Sequence, residues 1–175
     1  KEFSDQFGGV NNVLIEVQST SGDIYNSDFL GVYREISDEV YFHDSNVRPL
    51  FEAANLRKTR SVSGREGQIV VNPLMWPEVP SDEAGMSQFK QMVRSQFLGT
   101  LVSLDETAML ISAELSEDID TRQFISFVDD LKAQFAEQGV AISVVGRPVL
   151  LGTVKKYLPH MLLVFAASIL AIAVV

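Results

Sequence analysis

The chain opens with a segment of two-residue periodicity followed by a segment of helical periodicity. Apolar side chains occupy alternate positions within residues 10–20, which predicts a strand with one buried face. Residues 21–23 are typical of a turn, and residues 26–28 offer side chains that cap helices. Apolar residues then recur at helical spacing over 29–40, which predicts a helix.

The second half of the chain again has segments of strand periodicity and a segment of helical periodicity. Residues 100–104 and 108–115 are predicted to form a β-hairpin joined through residues 105–107. Asp120 is a suitable cap for the helix that follows, whose apolar positions again recur at helical spacing. A last strand is predicted over 140–145.

A less regular insert, at about 44–98, separates these halves. It contains extended segments near 47–51 and 68–71, a proline-rich loop at 72–81 and a predicted helix over 82–97. Without the insert the order is strand, helix, strand, strand, helix, strand. This order predicts an α+β fold of the ferredoxin-like split βαβ type (βαββαβ), with the helices on one face of an antiparallel sheet.

The C-terminal segment differs from the rest, because residues 157–175 contain no charged side chain. Its length approaches the roughly 20 apolar residues that cross a membrane. We therefore expect a domain at 1–152 and the start of a transmembrane helix at 153–175. The alternative, a buried core helix, normally keeps one polar face. No signal-peptide pattern is expected at Lys1, and both ends are expected to lie inside a longer protein.

Composition narrows the classes of function. The chain has 14 basic and 23 acidic residues and a net charge of −9. This balance disfavours nucleic-acid binding and docking on an anionic lipid surface. The chain has no Cys, which excludes a disulfide framework and a thiolate metal site. With 46 % hydrophobic residues, the chain has enough apolar side chains for a core.

Four stretches carry a likeness to a known family. They are RPLF at 48–51 with VVNPLM at 70–75, QFLGTLVSLD at 96–105, AMLISAEL at 108–115, and VGRPV at 145–149. In this order they resemble the first porter loop of RND-superfamily permeases, in particular the MMPL-like exporters. Glu106 departs from the family pattern, in which Gly often follows the Asp. The structural motif residues that match the pattern are Gly99, Asp105, Gly146 and Pro148.

The resemblance implies a proton-driven exporter of hydrophobic or amphipathic molecules. Porter domains of such permeases line the extracytoplasmic part of the export path and have no catalytic activity or cofactor of their own. The expected location is the inner (cytoplasmic) membrane, with the domain facing the periplasm or extracytoplasmic space. Expected partners are the remainder of the same transporter chain, the cargo, membrane lipid around 157–175 and a second copy in a homo-oligomer. The alternative function is a membrane-anchored extracytoplasmic sensor or protein-interaction domain.

Two large apolar residues in the proline-rich loop are candidates for cargo contact. Met75 and Trp76 would suit an apolar molecule if they were exposed, because Met adapts to varied shapes. The alternative is that the loop folds back and buries them.

Other polar residues give weaker signals. His43, beside an Asp, lacks the further ligands that a metal site needs. Residues 61–67 lack the spacing and the Lys-Ser/Thr ending of a phosphate loop, so a surface loop is expected. The acidic pairs at 117–118 and 129–130 are typical of solvated charge. His160 is expected near the membrane surface, where it would be an interfacial polar residue or a pH sensor. The sequence therefore predicts no enzyme and no bound metal.

Overall fold

The computed structural model describes residues 12–42, 47–49, 60–65, 68–73, 75, 78–115 and 120–174. The strands are β1 Asn12–Ser19, β2 Val47–Pro49, β3 Arg60–Arg65, β4 Gln68–Pro73, β5 Ala108–Leu115 and β6 Val140–Gly146. The helices are α1 Ser27–Phe42, α2 Glu83–Gln96, α3 Thr121–Gln134 and α4 Arg147–Val174. The predicted α+β class is confirmed.

The main sheet is antiparallel and has the strand order β2-β5-β1-β6. Three long strands form its body, with β1 in the middle, and the three residues of β2 extend one edge. In the register, Ile15 lies between Ile111 of β5 and Val144 of β6. A second, two-stranded sheet pairs β3 with β4.

One face of the main sheet carries the core. Strand β1 alternates strictly between exposed and buried positions, as its sequence predicts. The buried side chains of the sheet pack against apolar residues of α1, α2 and α3, including Tyr33, Phe89 and Leu131. The opposite face is open, because Leu14 and Val145 on it are 39 % and 60 % exposed. Antiparallel sheets commonly bury only one face in this way.

Short polar side chains set the starts of the helices. Asn26 Oδ1 accepts a hydrogen bond from the backbone N–H of Phe29 in α1. Asp120 caps α3 by accepting from the N–H of Arg122 at 2.8 Å, as predicted. These bonds satisfy N–H groups that have no partner within the first helical turn.

The predicted strand at 100–104 is wrong. The carbonyl oxygen of Phe97 accepts the N–H groups of Thr100, Leu101 and Val102, which coils this segment into tight turns. Only Val102 forms a β-bridge, with Met109 of β5. At the other end of that edge of β5, Ala113–Leu115 pair with β2.

The structure adds detail to two further expectations. The surface loop expected at 61–67 is largely part of the β3–β4 hairpin, in which Val62 pairs with Val71. Helix α4 begins at Arg147, so the domain boundary predicted at 152–153 falls inside a continuous helix.

Candidate functional site

Helix α4 is the most unusual element of the molecule. Its stretch Arg147–Ile169 is long and apolar enough, by length and composition, to cross a membrane, and almost none of it is buried. No other helix of the described residues meets this test. Its exposed large apolar side chains are Leu150, Leu151, Val154, Tyr157, Leu158, Met161, Leu162, Leu163, Val164, Phe165, Ile169 and Ile172. The described part of α4 is therefore not a buried core helix of this domain.

The junction between β6 and α4 contains no linker. Gly146 ends the strand with a φ of 153°, a conformation that favours glycine, and a Cβ there would lie 2.5 Å from the carbonyl oxygen of Asn12. Pro148 is buried in the first turn of α4, where the missing N–H of proline leaves no partner unsatisfied. These two predicted motif residues therefore shape an abrupt change from strand to helix.

The beginning of α4 packs closely on α3. A Cβ on Gly152 would lie 2.4 Å from Ile125 Cγ1 and 2.6 Å from the carbonyl oxygen of Thr121, so only glycine fits there. One turn further along, Lys156 Nζ lies 2.7 Å from Asp129 Oδ2. Helix α4 thus contacts the domain as far as Lys156, and its side chains from 157 to 169 are all exposed.

The turn before β5 is organised around Ser103 and Asp105. Asp105 Oδ1 accepts hydrogen bonds from the Ser103 hydroxyl at 2.6 Å, the Thr107 hydroxyl at 2.9 Å and the Thr107 N–H at 3.2 Å. These bonds favour the ionised carboxylate and lower the pKa of Asp105, with the largest effect from Ser103. Gly99, the other motif residue of this segment, has a φ of 78°.

Glu106 occupies a backbone conformation that is uncommon for residues other than glycine. Its φ is 60°, and its carbonyl oxygen accepts the N–H of Ile24 at 3.0 Å. Its carboxylate accepts two hydrogen bonds from Arg94 of α2, at 2.7 and 3.0 Å, which lower the pKa of Glu106. Glu106 stands where the family pattern often has Gly, and its side chain adds an ion pair with Arg94 to the turn.

A second contact holds α2 to the loop between β1 and α1. Lys90 Nζ lies 3.4 Å from Asp23 Oδ2 and 4.3 Å from the centre of the Tyr25 ring. The Tyr25 ring also meets Phe89 edge-on. Burial, and to a smaller extent the nearby carboxylate of Glu106, raises the pKa of Tyr25 to about 12. Two adjacent turns of α2 are thus fastened to the main domain.

A shallow cavity lies beside the same turn. Its volume is about 260 Å³, and it is lined by the segment 99–104, by Glu16 on the open face of β1 and by the first residues of β5. The sequence does not predict this cavity, because it depends on the coiling of 99–104 against the sheet.

The structure decides between the two alternatives for Met75. Its side chain is completely buried and belongs to the core cluster, so the alternative in which the loop folds back holds for this residue. Trp76 lies outside the described residues. A large apolar residue in a proline-rich loop can be either exposed or buried, and the contacts that the loop makes with the rest of the fold decide which.

The remaining candidates are dispersed. His43 and the pair at 117–118 lie outside the described residues, whereas Asp129 and Asp130 are exposed on α3. His160 is exposed on α4. Within the described part of the chain, no group of three or more His, Cys, Asp or Glu residues is placed to hold a metal ion.

Sequence patterns missed the contacts that fasten α2 and α4 to the domain. Lys90, Arg94, Gly152 and Lys156 each meet partners distant in sequence, and no local periodicity marks such pairs.

No protein-family model matches the chain, and no curated protein is significantly similar to it.

Proposed function

We propose that this chain is the extracytoplasmic porter domain, with the start of the following transmembrane helix, of a proton-driven RND-type exporter of hydrophobic or amphipathic molecules. The observation that carries the proposal is α4, which leaves the last strand without a linker and exposes apolar side chains over its outer part. Such a surface is stable when lipid covers it.

The topology of the main sheet supports the same proposal. Strand β2 follows α1 and lies at the edge of β5, so that β1, α1, β2, β5, α3 and β6 follow the order of a split βαβ unit. The second strand of the proposed ferredoxin-like unit is then β2, and the insert runs from β2 to β5. This assignment replaces the predicted hairpin strand at 100–104.

The charge next to the membrane segment is compatible with an extracytoplasmic domain. Lys155 and Lys156 lie at the domain side of the uncharged run, and basic residues near a span favour the cytoplasmic side. However, this preference applies mainly to loops shorter than about 60 residues. Lys156 is also paired with Asp129. In the proposed inner-membrane protein, the remainder of the transporter chain would supply the proton-carrying residues and the contacts with a second copy.

Cysteine labelling in the full-length protein tests the topology. Glu39 is exposed on α1, and Glu39→Cys introduces the only cysteine of this segment. A membrane-impermeant maleimide should label it in whole cells, with any outer membrane permeabilised. Labelling that appears only after the inner membrane is broken would contradict the proposal.

Efflux separates the exporter from a sensor. Cells that produce the full-length protein should expel an amphipathic dye, and a protonophore should abolish the export. Correct topology without proton-dependent efflux would favour the membrane-anchored sensor or interaction domain.

A further inference from the structure

Helices α3 and α4 run in the same direction. Gly152 meets Thr121 and Ile125, and four residues later Lys156 meets Asp129. The contacts therefore advance toward the C-terminal end of both helices. The end of α3 consequently points the same way as the apolar part of α4.

The register of this pair places the end of α3 beside the uncharged run. Helix α3 continues for five residues from Asp129 to Gln134, or about 7–8 Å at 1.5 Å per residue. The same distance along α4 leads from Lys156 to Met161, past the start of the uncharged run at Tyr157. A headgroup layer is about 5–7 Å thick on each side of the hydrocarbon core. The length of residues 157–161 therefore matches the thickness of one such layer.

The surface formed by the end of α3 and the turn bonded to it has few charged side chains. It consists of residues 132–139 and of residues 20–22, which are joined by a hydrogen bond from the Thr20 N–H to the Gly139 carbonyl at 3.0 Å. We call it the α3-end surface. Its exposed side chains include one cation, Lys132, and one anion, Glu137, although the whole chain has a net charge of −9. Its other exposed residues are Thr20, Ser21, Gly22, Ala133, Gln134, Ala136, Gln138 and Gly139.

We infer that the α3-end surface lies in the phospholipid headgroup layer beside α4. This inference rests on the proposed membrane insertion of α4 and names the lipid partner of the soluble domain. The composition fits a zwitterionic headgroup, because Lys132 can pair with its phosphate and Glu137 with its ammonium group. The Gln and Ala side chains are compatible with a partly dehydrated interface. Asp23, which follows this surface along the chain at the same end of the sheet, is paired with Lys90.

The opposite end of the domain provides a matched control. Strand β2 follows α1 and pairs with Ala113–Leu115, which lie at the far end of the sheet from Ser19 and Val140. Helix α1 thus runs away from the α3-end surface, and Glu39 lies about 18 Å along it from Ser27. Glu39 and Glu137 are both exposed glutamates at opposite levels.

Depth-dependent fluorescence quenching tests the inference on the whole chain in phosphatidylcholine nanodiscs. Single cysteines at Glu137, Gln138, Glu39 and Val164 would each carry the same environment-sensitive fluorophore, because the chain has no cysteine of its own. Labels at 137 and 138 should lose most of their emission to a nitroxide on the lipid headgroup. The label at 39 should retain its emission, and the label at 164 should be quenched by a nitroxide in the acyl chain.

The two proposals fail differently in this experiment. If the labels at 137 and 138 are quenched no more than the label at 39 while the label at 164 is quenched, α4 is inserted and the headgroup contact is wrong. If the label at 164 also escapes quenching, insertion of α4 fails and the headgroup contact fails with it. Circular dichroism of each labelled protein, compared with the unlabelled chain, excludes misfolding as the cause.

Discussion

At the scale of single residues, the turn before β5 combines an unfavourable backbone conformation with compensating side-chain bonds. Glu106 has a left-handed φ, which costs a residue other than glycine about 1–2 kcal/mol. Its two hydrogen bonds to Arg94 connect the turn to α2. The ion pair and the backbone strain therefore act on stability in opposite directions.

Two substitutions at this position separate these contributions. Glu106→Ala removes the ion pair and keeps the strain, whereas Glu106→Gly removes both. We expect the Gly variant to be more stable than the Ala variant by about 1 kcal/mol. Urea unfolding of the chain in detergent, followed by circular dichroism, measures the difference. Equal stability of the two variants would show that the φ of Glu106 carries no cost.

The hydrogen bonds of Asp105 predict a pH-dependent effect. Because they lower the pKa of Asp105 in the folded protein, its ionised form stabilises the fold above the unfolded pKa of about 4. This contribution is lost as the pH falls through the lower folded pKa. Asp105→Asn should therefore be less stable than the wild type at neutral pH, and the difference should shrink below about pH 4. A difference that stays constant in urea unfolding between pH 7 and 3 would contradict this explanation.

At the scale of elements, the side chains on the two faces of α3 contribute unequally to the stability of the fold. Leu131 is 2 % exposed in the core, whereas Asp129 is on the solvent side. Leu131→Ala should cost about 2–5 kcal/mol, because it leaves a cavity. Asp129→Ala should change stability by only about 0.5 kcal/mol, because exposed ion pairs contribute little. Similar losses in urea unfolding would contradict the assigned faces.

Two glycines in helices should respond oppositely to alanine. Gly152→Ala places a methyl group against Ile125 and the carbonyl of Thr121, so it should cost about 1–3 kcal/mol through overpacking. Gly31 in α1 has open space around its Cβ position, so Gly31→Ala should stabilise the helix by about 0.5–1 kcal/mol. Thermal unfolding compares both variants with the wild type. A tolerated alanine at 152 would mean that α3 and α4 are further apart.

At the scale of the whole molecule, the first turns of α4 belong to the soluble domain. A chain that ends after Lys156 keeps buried Pro148, the Gly152 contact and the ion pair with Asp129. We expect it to be soluble without detergent and to unfold cooperatively. A chain that ends after Gly146 exposes Ile125 of α3, so it should unfold at lower urea concentration. Equal midpoints for the two truncated chains would show that α4 does not stabilise the domain.

The elements whose burial pattern is local could be predicted from the sequence alone. The alternation in β1, the apolar stripes of α1 and α3, the cap at Asp120 and the uncharged run all have visible periodicity or composition. The side chains of a strand or helix repeat on a fixed period, so a single buried face marks the sequence directly. The motif residues Gly146 and Pro148 came from the family resemblance, and the structure adds that backbone geometry restricts the residue type at both positions.

The pairing of segments that are distant in sequence could not be predicted, because it depends on contacts made in the folded chain. Residues 100–104 have an apolar pattern suited to a strand, yet the Phe97 carbonyl binds three of their N–H groups and β2 takes much of the available sheet edge. Burial of Met75, the Arg94–Glu106 pair and the fit of Gly152 against α3 likewise depend on neighbours far along the chain. Local propensity describes one segment at a time. Edge pairing, close packing and the level of the α3-end surface beside α4 depend on where two segments meet in space.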